Sequence, residues 1–171
     1  MCNKCLPPAV VLNRQTFRHV DYVSFMNVKD ISSFVGAWQQ TGLYEQRMAW
    51  LYGYYSEDPN FKDGVRCNVE AIYEPPQIGE MNGIIRLEDP KRPIVDMVAS
   101  ALTLERVGWI YTTLNKDKVF MTSGQLREAA ALQQEHIVDH PDGYKVSKFV
   151  TVVVEQKEGE EIGVECYMAS D

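Results

Sequence analysis

The pattern of apolar and polar side chains along the chain predicts strands and helices that follow one another irregularly. Residues 19–26 are rich in β-branched and aromatic side chains, which predicts a strand. The apolar run over residues 48–55 is continuous, as is typical of a strand buried on both faces. Strict alternation over residues 65–73 predicts a further strand, which ends before Pro75 and Pro76 because proline cannot donate a ladder hydrogen bond.

Apolar residues at helical spacing predict three helices. The first helix is expected to stop at Gly42, and its apolar stripe is Ile31, Phe34, Val35 and Trp38. The second helix follows Pro93, and its stripe is Ile94, Met97, Val98, Ala101 and Leu102. The third helix begins at Thr122 or Ser123, both good N-caps, and runs to about Ile137.

The remaining strands are predicted over residues 107–112, 119–121, 146–155 and 162–168, the last two joined by an acidic hairpin. Helices and strands alternate without forming a regular βαβ series. The sequence therefore predicts the α+β class, with one sheet on which helices pack.

Composition narrows the class of protein. The chain has 171 residues, 45% hydrophobic and 24% charged, which fits one ordinary globular domain. Its net charge of −7 disfavours a nucleic-acid partner. No segment approaches the roughly 20 apolar residues of a membrane-spanning helix, so we expect no membrane insertion. Its 4 cysteines are too few and too scattered for a disulfide framework, which favours a reducing compartment.

Cys2 and Cys5 have the spacing at which two thiolates can bind one zinc ion. A stable structural zinc site needs four ligands, and neither His19 nor Cys67 completes one in the sequence. The pair is therefore a candidate half-site for a metal, and two free thiols remain the alternative.

The other candidate catalytic groups do not combine into a site. His136 and His140 are four residues apart, but a zincin motif places glutamate directly after the first histidine, where this chain has Ile137. Glu74 is a single carboxylate before two prolines. The sequence has no Gly-x-Ser-x-Gly, Gly-x-Gly-x-x-Gly or Walker-type loop. The residues alone predict no catalytic constellation.

Several short blocks carry a resemblance to a known family. They are Leu12-Asn13-Arg14-Gln15, Arg18-His19-Val20-Asp21, Leu51-Tyr52-Gly53, Ile72-Tyr73-Glu74-Pro75-Pro76-Gln77-Ile78-Gly79, Val107-Gly108-Trp109-Ile110 and Ser147-Lys148-Phe149-Val150-Thr151. In this order they resemble the nuclear protein localization protein 4 family over nearly the whole chain, and the Tyr-Glu-Pro-Pro-Gln-Ile-Gly block is the most specific. Cys2 and Cys5, before Leu6-Pro7, match the end of that family's zinc-finger region.

The resemblance implies an MPN (JAB/cytidine-deaminase-like) fold, which is a curved mixed sheet flanked by helices. It also implies a division of the chain. Residues 1–8 are expected to be a remnant of the zinc-finger region, and residues 9–171 an MPN domain that is C-terminally truncated relative to the family.

Active MPN proteins are zinc isopeptidases that cleave ubiquitin chains with a general-base Glu and with His-x-His and a later Asp as zinc ligands. The resemblance places Gln46 at the Glu position and Tyr111 and Thr113 at the histidine positions. Gln125 falls at the Asp position and Ser123 at about the motif's serine. Because an amide cannot act as a base and these ligands are weak, we expect a pseudoenzyme without catalytic residues.

Partners and location are likewise implied by the resemblance. Family members bind polyubiquitin and recruit substrates to the valosin-containing AAA ATPase segregase. They act together with the ubiquitin fusion degradation protein in proteasomal and endoplasmic-reticulum-associated degradation. We therefore expect location in the cytoplasm and nucleus, including the cytosolic face of the endoplasmic reticulum. Zinc is expected in the full-length family's zinc fingers, with no cofactor in this chain. The alternatives are a zinc-dependent JAMM-type deubiquitinase and an architectural MPN scaffold.

Overall fold

The computed structural model describes residues 18–114, 121–157 and 161–170. Its elements, in chain order, are β1 (Tyr22–Phe25), α1 (Val28–Gln40), β2 (Met48–Glu57), β3 (Val65–Tyr73), β4 (Gln77–Glu80), β5 (Gly83–Arg86), α2 (Arg92–Ala101), β6 (Glu105–Thr113), α3 (Ser123–Glu135), β7 (Ile137–Asp139), β8 (Lys145–Ser147), β9 (Val150–Gln156) and β10 (Ile162–Tyr167). The predicted α+β class is confirmed.

Six strands form one mixed sheet in the order β1-β3-β2-β6-β9-β10. The pairs β1–β3 and β6–β9 are parallel, and the other neighbours are antiparallel. The edge strands β1 and β10 line the same cavity of about 1130 Å³, with Tyr22 and Val23 on one side and Val164 and Cys166 on the other. The sheet therefore curves until it is nearly closed.

Helices cover both faces of the sheet. On one face, Phe34 and Trp38 of α1 pack with Leu51, Val69 and other buried residues of the central strands. The predicted stripe of α1 is thus confirmed, and Asn27 caps the helix by accepting a hydrogen bond from the Lys29 amide (3.2 Å). On the other face, Ala129 and Leu132 of α3 pack against a second cluster of buried residues of β2, β6 and β9: Met48, Trp50, Tyr52, Trp109, Tyr111 and Val153.

Helix α2 lies at the predicted position, but the side that faces the sheet is not the predicted apolar stripe. Its predicted stripe lies at the surface, where Ile94, Met97 and Leu102 are 58%, 64% and 63% exposed. The side facing the sheet carries the smaller Val95 and Ala99. Because apolar residues occur on both sides of this helix, periodicity alone could not identify the buried side.

Two short hairpins and one helix end differ from the sequence interpretation. The pattern predicts neither the β4–β5 hairpin nor β7, and it joins β8 and β9, which are separate, into one strand over residues 146–155. The short strand predicted over residues 119–121 lies largely outside the described residues. Helix α3 ends at Glu135 rather than near Ile137, since His136 is its C-cap and Ile137 begins β7.

Candidate functional site

The sequence-predicted site residues meet where β2 begins and β6 ends. Met48 of β2 lies opposite Tyr111 of β6. The Arg47 amide donates to Thr112 Oγ1 (2.9 Å), and the Thr112 amide donates to the Arg47 carbonyl (2.8 Å). Continuing this antiparallel register by one residue brings Gln46 beside the end of β6. We call the group formed by Gln46, Tyr111, Thr113 and Gln125 the candidate site.

Thr113 and Gln125 are in direct contact. Gln125 Nε2 donates to Thr113 Oγ1 at 3.0 Å. Gln125 is also held by a capping box at the start of α3, in which its Oε1 accepts from the Thr122 amide (2.8 Å) and its own amide donates to Thr122 Oγ1 (3.3 Å). Ser123, the first residue of α3, is exposed. Thr113 and Gln125, two of the three ligand-type positions, are therefore engaged in hydrogen bonds within the protein.

Tyr111 is buried with its ring stacked on Trp109, the two centroids being 4.7 Å apart. Its hydroxyl has no hydrogen-bond partner among the residues that the structure describes. Burial raises the pKa of Tyr111 above its ordinary value, and the nearby Tyr167 and Glu155 raise it further. A phenol in this environment stays protonated at neutral pH, so it is a poor metal ligand.

Gln46 is buried beneath the β4–β5 hairpin, with 5% of its surface exposed. Its Nε2 donates to the Met81 carbonyl (2.8 Å), and its backbone amide donates to the Glu80 carbonyl (3.3 Å). Gly79 approaches closely as well, since a Cβ on this glycine would lie 2.3 Å from the Gln46 carbonyl oxygen. The position expected to hold a general base thus holds an amide that is already engaged.

Gln77 is a site residue that the sequence analysis missed. Its side-chain amide accepts from the Met48 amide and donates to the Met48 carbonyl, both at 2.8 Å. This is the pattern of hydrogen bonds that the backbone of a neighbouring strand would make. β3 no longer pairs with β2 at this point, because the last pair of that ladder joins Tyr73 to Trp50. The dipeptide Asn82-Gly83, a common hairpin-turn signal, could have indicated the hairpin that carries Gln77.

The other candidate groups lie apart from this site or have partners. Glu74 accepts hydrogen bonds from Nε (3.0 Å) and Nη2 of Arg47. His136 stacks on Phe149 (4.0 Å between centroids), and His140 stacks on Tyr144 (4.2 Å). The described residues contain no group of three or more His, Cys, Asp or Glu side chains that could hold a metal ion.

Cys2 and Cys5, the candidate half-site, lie outside the described residues, as does the whole segment 1–8.

A polar cluster attaches α2 to the sheet near the start of β6, at the other end of this strand from the candidate site. Asp96 of α2 accepts hydrogen bonds from the Tyr52 hydroxyl (2.6 Å) and from Nη2 of Arg106 (2.8 and 2.9 Å). Arg106 also lies 4.9 Å from the centre of the Trp50 ring. α2 is therefore anchored by an ion pair, while its exposed apolar stripe has the character of surfaces that contact other proteins.

Fold and site together define a mixed α+β protein with a nearly closed sheet, in which a buried amide and a Thr113–Gln125 hydrogen bond lie at the junction of β2 and β6. No helix among the described residues is long and apolar enough to cross a membrane. A model of the NPL4 family matches residues 47–171, and a model of the NPL4 family zinc binding region matches residues 1–42. The chain belongs to the NPL4 family, so the predicted family is confirmed.

Individual relatives agree with this assignment. The nuclear protein localization protein 4 homologs of Rattus norvegicus and Homo sapiens are 40% and 39% identical over 188 residues, covering 100% of this chain and 31% of theirs. Nuclear protein localization protein 4 of Saccharomyces cerevisiae is 35% identical over 190 residues, covering 99% of this chain and 32% of its own length. The chain spans about a third of the length of these curated relatives.

Proposed function

We propose that this chain is a catalytically inactive MPN-type module that binds ubiquitin. In this proposal it recruits substrates to the valosin-containing AAA ATPase segregase, together with the ubiquitin fusion degradation protein. The pathway is proteasomal degradation, including endoplasmic-reticulum-associated degradation, in the cytoplasm and nucleus and at the cytosolic face of the endoplasmic reticulum. Membership of the NPL4 family and the curved mixed sheet support this proposal.

The chemistry of the candidate site is the observation that most directly supports this proposed function. A zinc isopeptidase needs a carboxylate to deprotonate the zinc-bound water, and imidazole or carboxylate ligands to hold the ion. Gln46 is neutral at the base position and cannot accept a proton at neutral pH. These properties support a role in binding rather than in cleavage.

The donor set of the candidate site does not fit zinc. Thr113 supplies a neutral hydroxyl that already accepts from Gln125, and Tyr111 supplies a protonated phenol. Zinc binds thiolates, neutral imidazoles and carboxylates, and none of these occurs at the positions in question. These positions therefore supply no ligand set for metal-assisted hydrolysis. The match to the family's zinc binding region covers residues 1–42 and includes none of these positions.

A di-ubiquitin cleavage assay tests the absence of catalysis. The chain is incubated with di-ubiquitin and added zinc, beside an active MPN isopeptidase as a positive control. We expect no cleavage by this chain under conditions in which the control turns over completely. Turnover that a zinc chelator abolishes would establish the deubiquitinase alternative instead.

A ubiquitin titration tests the binding function. Titration of labelled chain with tetra-ubiquitin and with mono-ubiquitin should give saturable binding, stronger for the longer chain because several units can be engaged together. Absence of binding up to millimolar ubiquitin would favour the architectural scaffold.

A further inference from the structure

The β4–β5 hairpin lies across the start of β2 and is held there by side-chain amides. Gln46 contributes Nε2 to the Met81 carbonyl, and Gln77 contributes both ends of its amide to Met48. A two-stranded hairpin has little stability of its own in water. These hydrogen bonds to the start of β2 therefore help to hold the hairpin in its position.

The orientation of the Gln46 amide follows from its partner. A carbonyl oxygen such as that of Met81 can only accept a hydrogen bond, so the group that faces it at 2.8 Å must be a donor. An ionised carboxylate can only accept and would bring two negative oxygens together. A glutamate at this position therefore cannot make the contact in its charged form.

We infer that Gln46 is the latch of the β4–β5 hairpin, and that its amide keeps the hairpin closed over the candidate site. At the position where a zinc isopeptidase needs a base, this chain uses a hydrogen-bond donor. A carboxylate at position 46 opens the hairpin instead of supplying a base. This inference goes beyond the proposed function, because it concerns closure of the hairpin and not ubiquitin binding.

The backbone of β4 at Gly79 also allows the hairpin to close against residue 46. A Cβ at Gly79 would lie 2.3 Å from the Gln46 carbonyl oxygen and 3.1 Å from Glu45 Cβ. Both neighbours are close to the backbone and cannot move aside cheaply. Gly79 thus allows β4 to approach residue 46 closely enough for the Gln46 amides to reach Glu80 and Met81.

Hydrogen exchange of single amides, followed by NMR on the full chain, tests the latch. The reporters are the amides of residue 46 and Met48, which donate into the hairpin, and the amide of the buried Val152 in β9, which pairs with β6 and β10. Gln46→Glu should raise exchange at the first two amides by about tenfold, the order expected for one lost buried hydrogen bond. Val152, in a strand buried within the sheet, should remain much more strongly protected than these two amides, because its exchange requires the sheet itself to open. The matched control is Gln39→Glu, the same substitution at an exposed position of α1, which should leave all three rates unchanged.

A glycine substitution provides a second test that leaves the amide intact. Gly79→Ala should also raise exchange at residue 46 and Met48, while Gly36→Ala should not, because nothing lies within 4 Å of a Cβ at Gly36. Unchanged exchange at Met48 in Gln46→Glu would overturn the inference. Equal protection of all three amides in this variant would also overturn it, since the hairpin would then open only together with the core. Either failure leaves the proposed function intact, because neither readout involves ubiquitin.

Discussion

Tyr111 is buried and Tyr55 is half-buried, and their hydroxyl groups have different surroundings. Tyr55 Oη donates towards the carbonyl oxygens of Lys148 (2.9 Å) and Val107 (3.2 Å). Tyr111 Oη has no such partner among the described residues. A buried hydroxyl without a partner costs free energy, whereas a bonded one contributes to stability. Tyr111, which the resemblance places at a histidine position of the MPN motif, is therefore a packing residue.

This difference predicts opposite effects for the same substitution. Tyr111→Phe should leave the free energy of unfolding unchanged or raise it by up to about 1 kcal/mol, since it removes only an unpaired hydroxyl. Tyr55→Phe should lower it by about 1–2 kcal/mol, since it leaves buried carbonyl oxygens without their donor. Urea denaturation of both variants measures the two values. A loss in Tyr111→Phe as large as that in Tyr55→Phe would show that the Tyr111 hydroxyl is bonded.

Helix α2 is anchored to the sheet through the carboxylate of Asp96. Burial would raise the pKa of Asp96, but hydrogen bonds from Tyr52 and Arg106 outweigh it and hold the pKa below its usual value. A carboxyl group whose pKa is lowered by folding stabilises the protein above its unfolded-state pKa. That contribution is lost as pH falls through the folded-state pKa.

The pH dependence of stability should therefore change when this anchor is removed. Asp96→Asn should lower the free energy of unfolding by about 1 kcal/mol near pH 7, because the amide accepts less strongly than a carboxylate from Arg106. The difference between wild type and variant should be constant above about pH 5 and shrink below about pH 4. Chemical denaturation at several pH values measures it. A difference that grows towards low pH would contradict the anchor.

Neighbouring positions of α2 test the orientation of the helix. Val98 is 51% exposed and Ala99 is 7% exposed. Val98→Lys should change stability by less than about 0.5 kcal/mol, as surface substitutions usually do. Ala99→Lys should cost more than about 2 kcal/mol because it buries a charge against the sheet. Thermal denaturation compares the two variants, and the reverse order of effects would place the predicted stripe against the sheet.

The same elements show how far the sequence could predict the fold. In α1 the apolar stripe ending at Trp38 has a polar opposite side, so its spacing indicated both the helix and its buried side. β2 and β3 were predictable because one is continuously apolar and the other alternates. The buried side of α2 was not, because the helix is attached through Asp96 and through the small Ala99.

The candidate site was predictable in its positions but not in its contacts. The resemblance brought Thr113 and Gln125 together, and the structure places them in hydrogen-bond contact. The cover over Gln46 was not predictable from periodicity, since β4 and β5 have four residues each. They are held partly by the side chain of Gln77, a contact between residues far apart in sequence that no local pattern encodes.

The sheet and its helices combine residues from the two regions that separate family models match, residues 1–42 and residues 47–171. The model of the zinc binding region ends at residue 42, and the other begins at residue 47. Phe34 and Trp38, from the first region, are buried in one cluster with Leu51 and Val69 from the second. Residues 18–42 are therefore part of the same folded unit. The predicted boundary at residue 8 lies outside the described residues.

The central claim is that the candidate site cannot hold the ion on which isopeptidase chemistry depends. Metal analysis of the variant Cys2→Ser/Cys5→Ser, dialysed after exposure to excess zinc, tests this claim most directly, because it removes the candidate half-site. We expect that no zinc is retained at the candidate site. Stoichiometric zinc that is lost on further substitution of Thr113→Val or Gln125→Leu would contradict it.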